Sequence, residues 1–330
     1  MANFRSLRPA AAVLAGAALL FAGTGFAQNW PTKVVRIIVP FGTGGGTDIQ
    51  ARLLAESFRQ STGQTFITEN RTGAGGLIGA EIVAKAPGDG YTLLFTSAAI
   101  SVNTTLFANS LKTSFKFDTR KDLVPVSWLS STPLVLCTHP SVPAKSVKEL
   151  ITLAKRSAGK LNFGVNTSGT TSHLAAEMMK QRAGFDAVTI AFKGGGPAIV
   201  ALMTGDIDLL FATGPVAAQN LPIGRIRCLA VTTAKKSSAF PDLPPMNSVY
   251  PGFESDNWYA MFFPKGTSQD IVNKMNGVIK QALQSEKVAT FYKREGLDTV
   301  ASSPQELSEM FEREVKKYAE VIVKAKIQIQ

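Results

Sequence analysis

The stretch Val34-Val-Arg-Ile-Ile-Val-Pro40, followed by Phe41-Gly-Thr-Gly-Gly-Gly-Thr-Asp48, decides the fold. Its first half is a near-continuous apolar run of strand length, the pattern of a strand covered on both faces of a parallel sheet. Its second half sets small residues before a helix whose apolar positions Ile49, Leu53, Leu54 and Phe58 recur at helical spacing. Thr47 or Asp48 is the expected N-cap and Gly63 the expected stop. Strand, glycine turn and helix in that order form the unit of a wound α/β sheet.

The unit recurs. Thr65 to Glu69 leads through Gly73-Ala-Gly-Gly76 into a helix with Leu77, Ile78, Ile82 and Val83, and Thr92 to Thr96 follows the turn Pro87-Gly-Asp-Gly90. Further on, Leu161-Asn-Phe-Gly164 leads through Asn166-Thr-Ser-Gly-Thr-Thr171 into a helix from Ser172 to Arg182. Val188 to Phe192 leads through Lys193-Gly-Gly-Gly196 into a helix with Ile199, Val200 and Leu202. Between these clusters lie two passages of one style, strand then proline turn then helix. One runs from Leu134 through Pro140 to the capping-box spacing Ser146-Val-Lys-Glu149, the other from Tyr259 through Pro264 to a helix over Asp270 to Leu283. They suit a chain that enters a second domain and later returns. The expected division is 28–127 plus 253–330 for the first domain and 128–252 for the second, with a closing helix from Ser303-Pro-Gln-Glu306.

The length of 330 residues agrees with two domains of about 100–200 residues each. Residues 1–27 read as a secretory leader: Arg5 and Arg8 without an acid, an uncharged apolar stretch from Ala10 to Phe26, and the small-x-small site Gly25-Phe-Ala27 before Gln28. Cleavage there leaves a soluble, exported chain, and the net charge of +11 becomes +9 once Arg5 and Arg8 are gone. The remaining basic residues are scattered, with no run longer than a pair such as Lys235-Lys236, and no arginine-aromatic platform accompanies them. Nucleic acid is therefore not an expected partner. Two cysteines and two histidines, with no carboxylate cluster beside them, give no expectation of a metal or other cofactor. An oxidising compartment permits a Cys137–Cys228 disulfide, but the apolar runs around each read as two buried thiols acting as small hydrophobes.

Four loops carry the candidate site: 41–48, 71–76, 164–171 and 193–196. Each would place unpaired N–H groups of a helix N-terminus at the carboxyl end of a strand, where glycine lets a ligand approach closely. From the first loop the candidates are Phe41, Thr43, Gly44, Gly45 and Asp48; from the second, Ala74, Gly75 and Gly76. The third strand contributes Ser97 and Ala98, the third loop Asn166, Thr167, Ser168, Thr170 and Thr171, and the fourth Lys193. Such a set suits a small anion held by neutral donors. Asp48 would select an amine if it were free. Arg71 would pair with a carboxylate unless Glu69 or Asp89 takes it. The phosphate-binding loop pattern is absent, and Ile78 spoils a dinucleotide fingerprint. Ser168 lacks the flanking glycines of a nucleophile elbow, so an exported hydrolase using Ser168 or His173 is the alternative rather than the leading reading.

These phrases, in this order, resemble the substrate-binding receptors of tripartite tricarboxylate transporters, the Bug receptors. The likeness rests on Trp30-Pro-Thr-Lys, Ile37-Ile-Val-Pro-Phe41, Gly44-Gly-Gly-Thr-Asp48 with Ala51-Arg52, and Glu69-Asn-Arg71 with Gly73-Ala-Gly-Gly-Leu-Ile-Gly79. It continues through Asp89-Gly-Tyr-Thr-Leu-Leu94, Pro140-Ser-Val-Pro-Ala-Lys145, Gly169-Thr170 with His173-Leu174, Lys193-Gly-Gly-Gly-Pro-Ala198 and Pro251-Gly-Phe-Glu254. The resemblance implies a type II periplasmic binding protein fold, two doubly wound α/β domains joined by a two-segment hinge. It further implies a monomer that closes on a small carboxylate, held by backbone amides, hydroxyls and water, and serves transporter membrane subunits or a sensor kinase. The chain departs from the family pattern at Gly42-Thr43, where prolines are common, at Asn166-Thr167, where Ser or Pro is common, and at Phe192, where Tyr is common.

Overall fold

The computed structural model describes residues 30–108, 115–157, 159–233 and 235–325. The leader expected over 1–27 lies outside the described residues.

Two mixed α/β lobes are built on separate sheets. In the first, β1 (Val35–Val39) runs parallel to β2 (Phe66–Asn70) and β3 (Thr92–Ser97). The returning strand β10 (Asn257–Pro264) lies antiparallel between β3 and β4 (Leu123–Thr132), and the short β11 (Asp298–Thr299) forms the edge beyond β4. In the second lobe, β6 (Asn162–Val165) runs parallel to β7 (Val188–Ala191) and β8 (Leu209–Thr213). There β5 (Leu134–Thr138) is the antiparallel member, between β8 and β9 (Arg227–Val231). Each sheet thus takes beside its third parallel strand the segment that has just crossed from the other lobe.

The crossovers lie side by side. The chain changes sheet at Pro133, between β4 and β5, and returns between β9 and β10, where Asn257 is paired with Thr132. Thr232 ties the two passages: its hydroxyl donates to Ser255 O, and it accepts from Leu134 N–H. The division expected at 127/128 falls inside β4, which stays in the first sheet to Thr132. Phe253, just past the other expected limit, packs in the second lobe's core.

The apolar strands are covered on both faces, as their runs require. In the first lobe Ile37, Leu93 and Met261 pack on Leu54 and Phe58 of helix α1 (Gly46–Thr62) and on Met275 and Ile279 of α9 (Gln269–Gln284). The alternate residues Ile38, Leu94 and Phe262 face Leu307, Met310 and Phe311 of α11 (Pro304–Ala325). Burying each such side chain contributes roughly 1.5–3 kcal/mol. The second lobe repeats the arrangement, with Leu136, Phe163 and Phe211 on one face and Val135, Leu210 and Ala212 on the other.

Helix ends follow local chemistry. Gly63 is in the left-handed region at φ 72° and its N–H closes α1 onto Arg59 O, as its position at the end of the apolar pattern predicts. The N-cap of α1 is Gly45 rather than Thr47 or Asp48. The Asp48 carboxylate instead reaches back to Gly44 N–H at 2.9 Å, satisfying the donor from inside the first turn. Ser303 and Glu306 cap α11 reciprocally. Cys137 and Cys228 face each other across β5 and β9 and form a disulfide, which corrects the reading of two buried thiols. Strand registry, which the sequence does not show, brings them together.

Candidate functional site

The carboxyl ends of β1, β3, β6 and β8 point at the seam between the lobes, and helix N-termini gather there. Besides α1, these are α3 (Ala99–Ala108), α6 (Thr171–Ala183), α7 (Gly195–Thr204) and the short α8 (Gly214–Asn220). They enclose a cavity of about 30 Å³ lined by Phe41, Gly45, Gly46, Thr47, Ser97, Asn166, Thr170, Thr171, Gly194, Gly195, Thr213, Asn257 and Tyr259. That is room for about two waters. The lobes are closed over it.

The wall chemistry is neutral and rich in donors. Gly45 and Gly194 cap α1 and α7 without any side-chain hydrogen bond. The first intrahelical bonds there are Ile49 N–H to Gly45 O and Ala198 N–H to Gly194 O. The N–H groups of Gly46, Thr47, Gly195 and Gly196 therefore have no partner within their helices, and the macrodipole adds partial positive charge at the same place. Three buried polar atoms on the wall also have no hydrogen-bond partner: Asn166 Oδ1, Thr213 Oγ1 and Tyr259 OH. Burial pushes the Tyr259 phenol up to about 12, so its proton stays on as a donor at neutral pH; nearby Thr213 and Asn257 pull it down only in part. No Lys, Arg, Asp, Glu or His side chain is among the lining residues.

Several contacts hold the seam shut. Gly42 N–H donates to Lys193 O at 2.6 Å, joining the first loop to the fourth. Asn103 on α3 donates through Nδ2 to Gly75 O at 2.8 Å and to Gly169 O at 3.0 Å, joining the second loop to the third. Leu174 of α6 adds an apolar contact with Leu77, Val102, Tyr318 and Ile322 of the first lobe.

The sequence candidates divide accordingly. Phe41, Gly45, Ser97, Asn166, Thr170 and Thr171 line the cavity. Thr43 and Gly44 lie exposed on the outer side of the same loop, lining a separate surface groove with Phe192 and Val200. Ala98 is buried beneath the wall. Thr167 gives its carbonyl to the Thr170 hydroxyl, and Ser168 is half-buried beside it. Ala74, Gly75 and Gly76 pack behind the site: Gly76 lies against the Phe41 ring, and the space where Gly75 would carry a Cβ is filled by the Asn103 amide. Lys193 enters only through its carbonyl, its side chain being exposed.

The charged candidates are engaged elsewhere. Burial alone would raise the Asp48 carboxyl, but hydrogen bonds from Arg52, Gly44 N–H and Asn70 overcome it and hold the group below its usual value. Arg71 pairs with Glu69 at 2.9 Å. His173 Nδ1 accepts from Gly169 N–H at 3.1 Å, and burial foremost keeps the ring below its ordinary pKa. That acceptor is used, so it is not a base poised at Ser168.

Gly46, Thr47, Gly194, Gly195, Thr213, Asn257 and Tyr259 line the cavity but were not among the candidates. The run Leu209 to Thr213 followed by Gly214-Pro215 carries the same strand-turn-helix signal as the other loops and would have found Thr213. Tyr259 and Asn257 come from the crossover strand, whose return to the wall no local pattern announces.

Comparison with known proteins agrees with the two-lobed fold. Residues 50–327 match the model of the tripartite tricarboxylate transporter family receptor. Protein BugT of Bordetella pertussis is 35% identical over 297 residues, covering 90% of this chain and 90% of its own. Periplasmic binding protein BugD superposes with a TM-score of 0.86 at 31% identity, over 91% of this chain and 100% of BugD. An R. palustris protein solved with adipate gives a TM-score of 0.86 at 33% identity, over 91% of this chain and 99% of that one. The chain belongs to the tripartite tricarboxylate transporter receptor family, with the two-lobed fold of its periplasmic binding proteins.

Proposed function

We propose that this chain is a periplasmic receptor that closes its lobes on a small carboxylate and delivers it to a membrane transporter or a signalling partner. The observation that carries this reading is a small interlobe cavity whose wall offers helix N-termini and hydroxyls but no charged side chain. A carboxylate gains about 0.3–1 kcal/mol from each exposed N-terminus and up to ~2 kcal/mol where water is excluded. The relative solved with adipate, a dicarboxylate, supports the ligand class. The leader over 1–27 and the kinship with a periplasmic binding protein support the compartment. Among the described residues no helix is long and apolar enough to cross a membrane.

The loops of the two lobes touch across the cavity, so a ligand enters when the lobes part, and around a dicarboxylate they close less far than they do here. The paired crossovers, Thr132–Leu134 and Ser255–Asn257, are the hinge in this reading. The chain acts by binding, without turnover, because Ser168 and His173 form no nucleophile–base pair.

A thermal-shift screen of carboxylates on leader-free protein tests the reading. A true ligand at about 100 times its dissociation constant raises stability by ~2.7 kcal/mol, and its primary amide analogue, which sets N–H groups against donors, does not. Stabilisation by amides as strong as by acids, or hydrolysis of esters lost on Ser168→Ala, would overturn it.

A further inference from the structure

One side-chain atom on the cavity wall is a pure acceptor left without a partner. Thr213 Oγ1 and Tyr259 OH can donate or accept, and the helix N-termini only donate. Asn257 Oδ1 already accepts from Thr171 Oγ1. Asn166 Oδ1 is an acceptor only, it has no partner, and its residue is 8% exposed. It lies 3.6 Å from where Gly195 would carry a Cβ, beside the first turn of α7. The positive end of that helix favours the amide oxygen, rather than the NH₂, on this side.

A plain carboxylate has nothing to give this atom. Its oxygens accept and do not donate, so Asn166 Oδ1 would stay buried and unpaired. An ammonium could supply N–H groups but would bring a full positive charge to a wall with no carboxylate, beside the positive ends of α1 and α7. Asp48, the carboxylate on α1 nearest in sequence, is already held by Arg52, Gly44 N–H and Asn70. A hydroxyl supplies the donor without the charge. Resting on the carboxylate-receptor reading and narrowing it, we infer that the ligand is a hydroxycarboxylate whose hydroxyl donates to Asn166 Oδ1 while its carboxylate meets the N-termini of α1 and α7.

Calorimetry on ligand-stripped, leader-free protein tests this with matched acids: L-malate, succinate and L-aspartate; 2-hydroxyglutarate, glutarate and L-glutamate; lactate, propionate and L-alanine. In the set whose length fits, the hydroxy acid should bind about tenfold or more tightly than its deoxy partner, because the deoxy acid leaves a buried acceptor unmade. The amino acid should bind more weakly than the hydroxy acid. Asn166→Ala and Asn166→Leu, each checked for an intact melting transition, should reduce the hydroxy preference, read as the ratio of hydroxy to deoxy affinity within the same variant, to within about threefold. Equal binding of deoxy and hydroxy acids, tightest binding of the amino acid, or a preference that survives in both variants overturns the inference while the receptor reading stands. Failure of all nine acids to bind, with the amides equally inert, overturns both.

Discussion

Gly42 and Lys193 meet across the seam by backbone alone, N–H to carbonyl at 2.6 Å, so the contact needs no particular side chain on either partner. What it needs is thinness. A Cβ on Gly196, one turn along the same loop, would fall on the Thr43 carbonyl oxygen, and one on Gly194 would fall 2.7 Å from Gly42 N. Both obstacles are backbone of the opposite lobe and exist only when the lobes are shut.

Gly196→Ala should therefore act on closure and not on folding. Gly196 lies in the first turn of α7 with no positive φ, so alanine suits the open lobe and removes some unfolded-state entropy. The expected outcome is unfolding stability unchanged or higher by about 0.5 kcal/mol, ligand affinity at least about tenfold weaker, and a larger radius of gyration by solution scattering with ligand present. Wild-type compaction in the variant would refute this account of the seam.

Tyr259→Phe separates stability from binding. The phenol is fully buried, and its oxygen has no hydrogen bond of full geometry beyond the weak reach of Thr213 and Asn257 that tempers its raised pKa; a poorly satisfied group of this kind costs about 1–3 kcal/mol. Its removal should raise the ligand-free stability by about 1 kcal/mol, read by urea unfolding, and weaken the ligand by about tenfold. A variant less stable than wild type would mean that the hydroxyl already has a strong partner in the empty protein.

Much of this was legible from residue order. The apolar run at Val34 to Val39 showed a strand covered on both faces, and Gly63, Ser303 and Pro304 marked helix ends where the structure has them. Local spacing also located four of the loops at the seam, because a strand-turn-helix unit is a local pattern. It gave no view of depth within a loop. Gly75 and Gly45 look alike in the sequence, yet Gly45 lines the cavity while Gly75 is backed by Asn103, a residue of another helix. The Cys137–Cys228 pairing, the antiparallel setting of β10 and the arrival of Tyr259 at the wall depend on registry between distant segments. No periodicity encodes that.

Acid stability should depend on Glu69. The Arg36 guanidinium, bonded at 2.7 Å, and then Arg71 lower its pKa from 4.5 to about 2, against the smaller opposing effect of burial. A carboxyl with a depressed folded pKa stabilises the protein above its unfolded value. That contribution is fully present above about pH 4.5 and is lost as the pH falls toward 2. Glu69→Gln should thus lower stability at pH 7 and flatten its decline between pH 4.5 and 2. Parallel wild-type and variant curves across that window, from urea unfolding at fixed ionic strength, would contradict the assignment.

Asn103 and Lys193 make the sharpest contrast, because the sequence recommends the lysine and the structure the asparagine. Lys193 has an exposed side chain and contributes its carbonyl, so Lys193→Ala should leave affinity within about threefold, the change expected of a solvated charge screened by salt. Asn103 is fully buried, and one NH₂ group joins Gly75 O to Gly169 O across the seam. Both glycines have positive φ, at 64° and 72°, and the asparagine side chain fills the space where either would carry a Cβ. Asn103→Leu keeps the bulk and removes both hydrogen bonds, leaving two buried carbonyls without that donor when the lobes are shut. When the lobes are open, Gly169 O can return to water. The loss should therefore fall mainly on the closed form, at about 1–3 kcal/mol, and affinity should drop by about tenfold or more with the dissociation rate rising more than the association rate falls. Surface plasmon resonance on both variants with one carboxylate decides it: an Asn103→Leu receptor that releases ligand at the wild-type rate, or a Lys193→Ala receptor that loses it, would show that the seam is held by something other than this bridge.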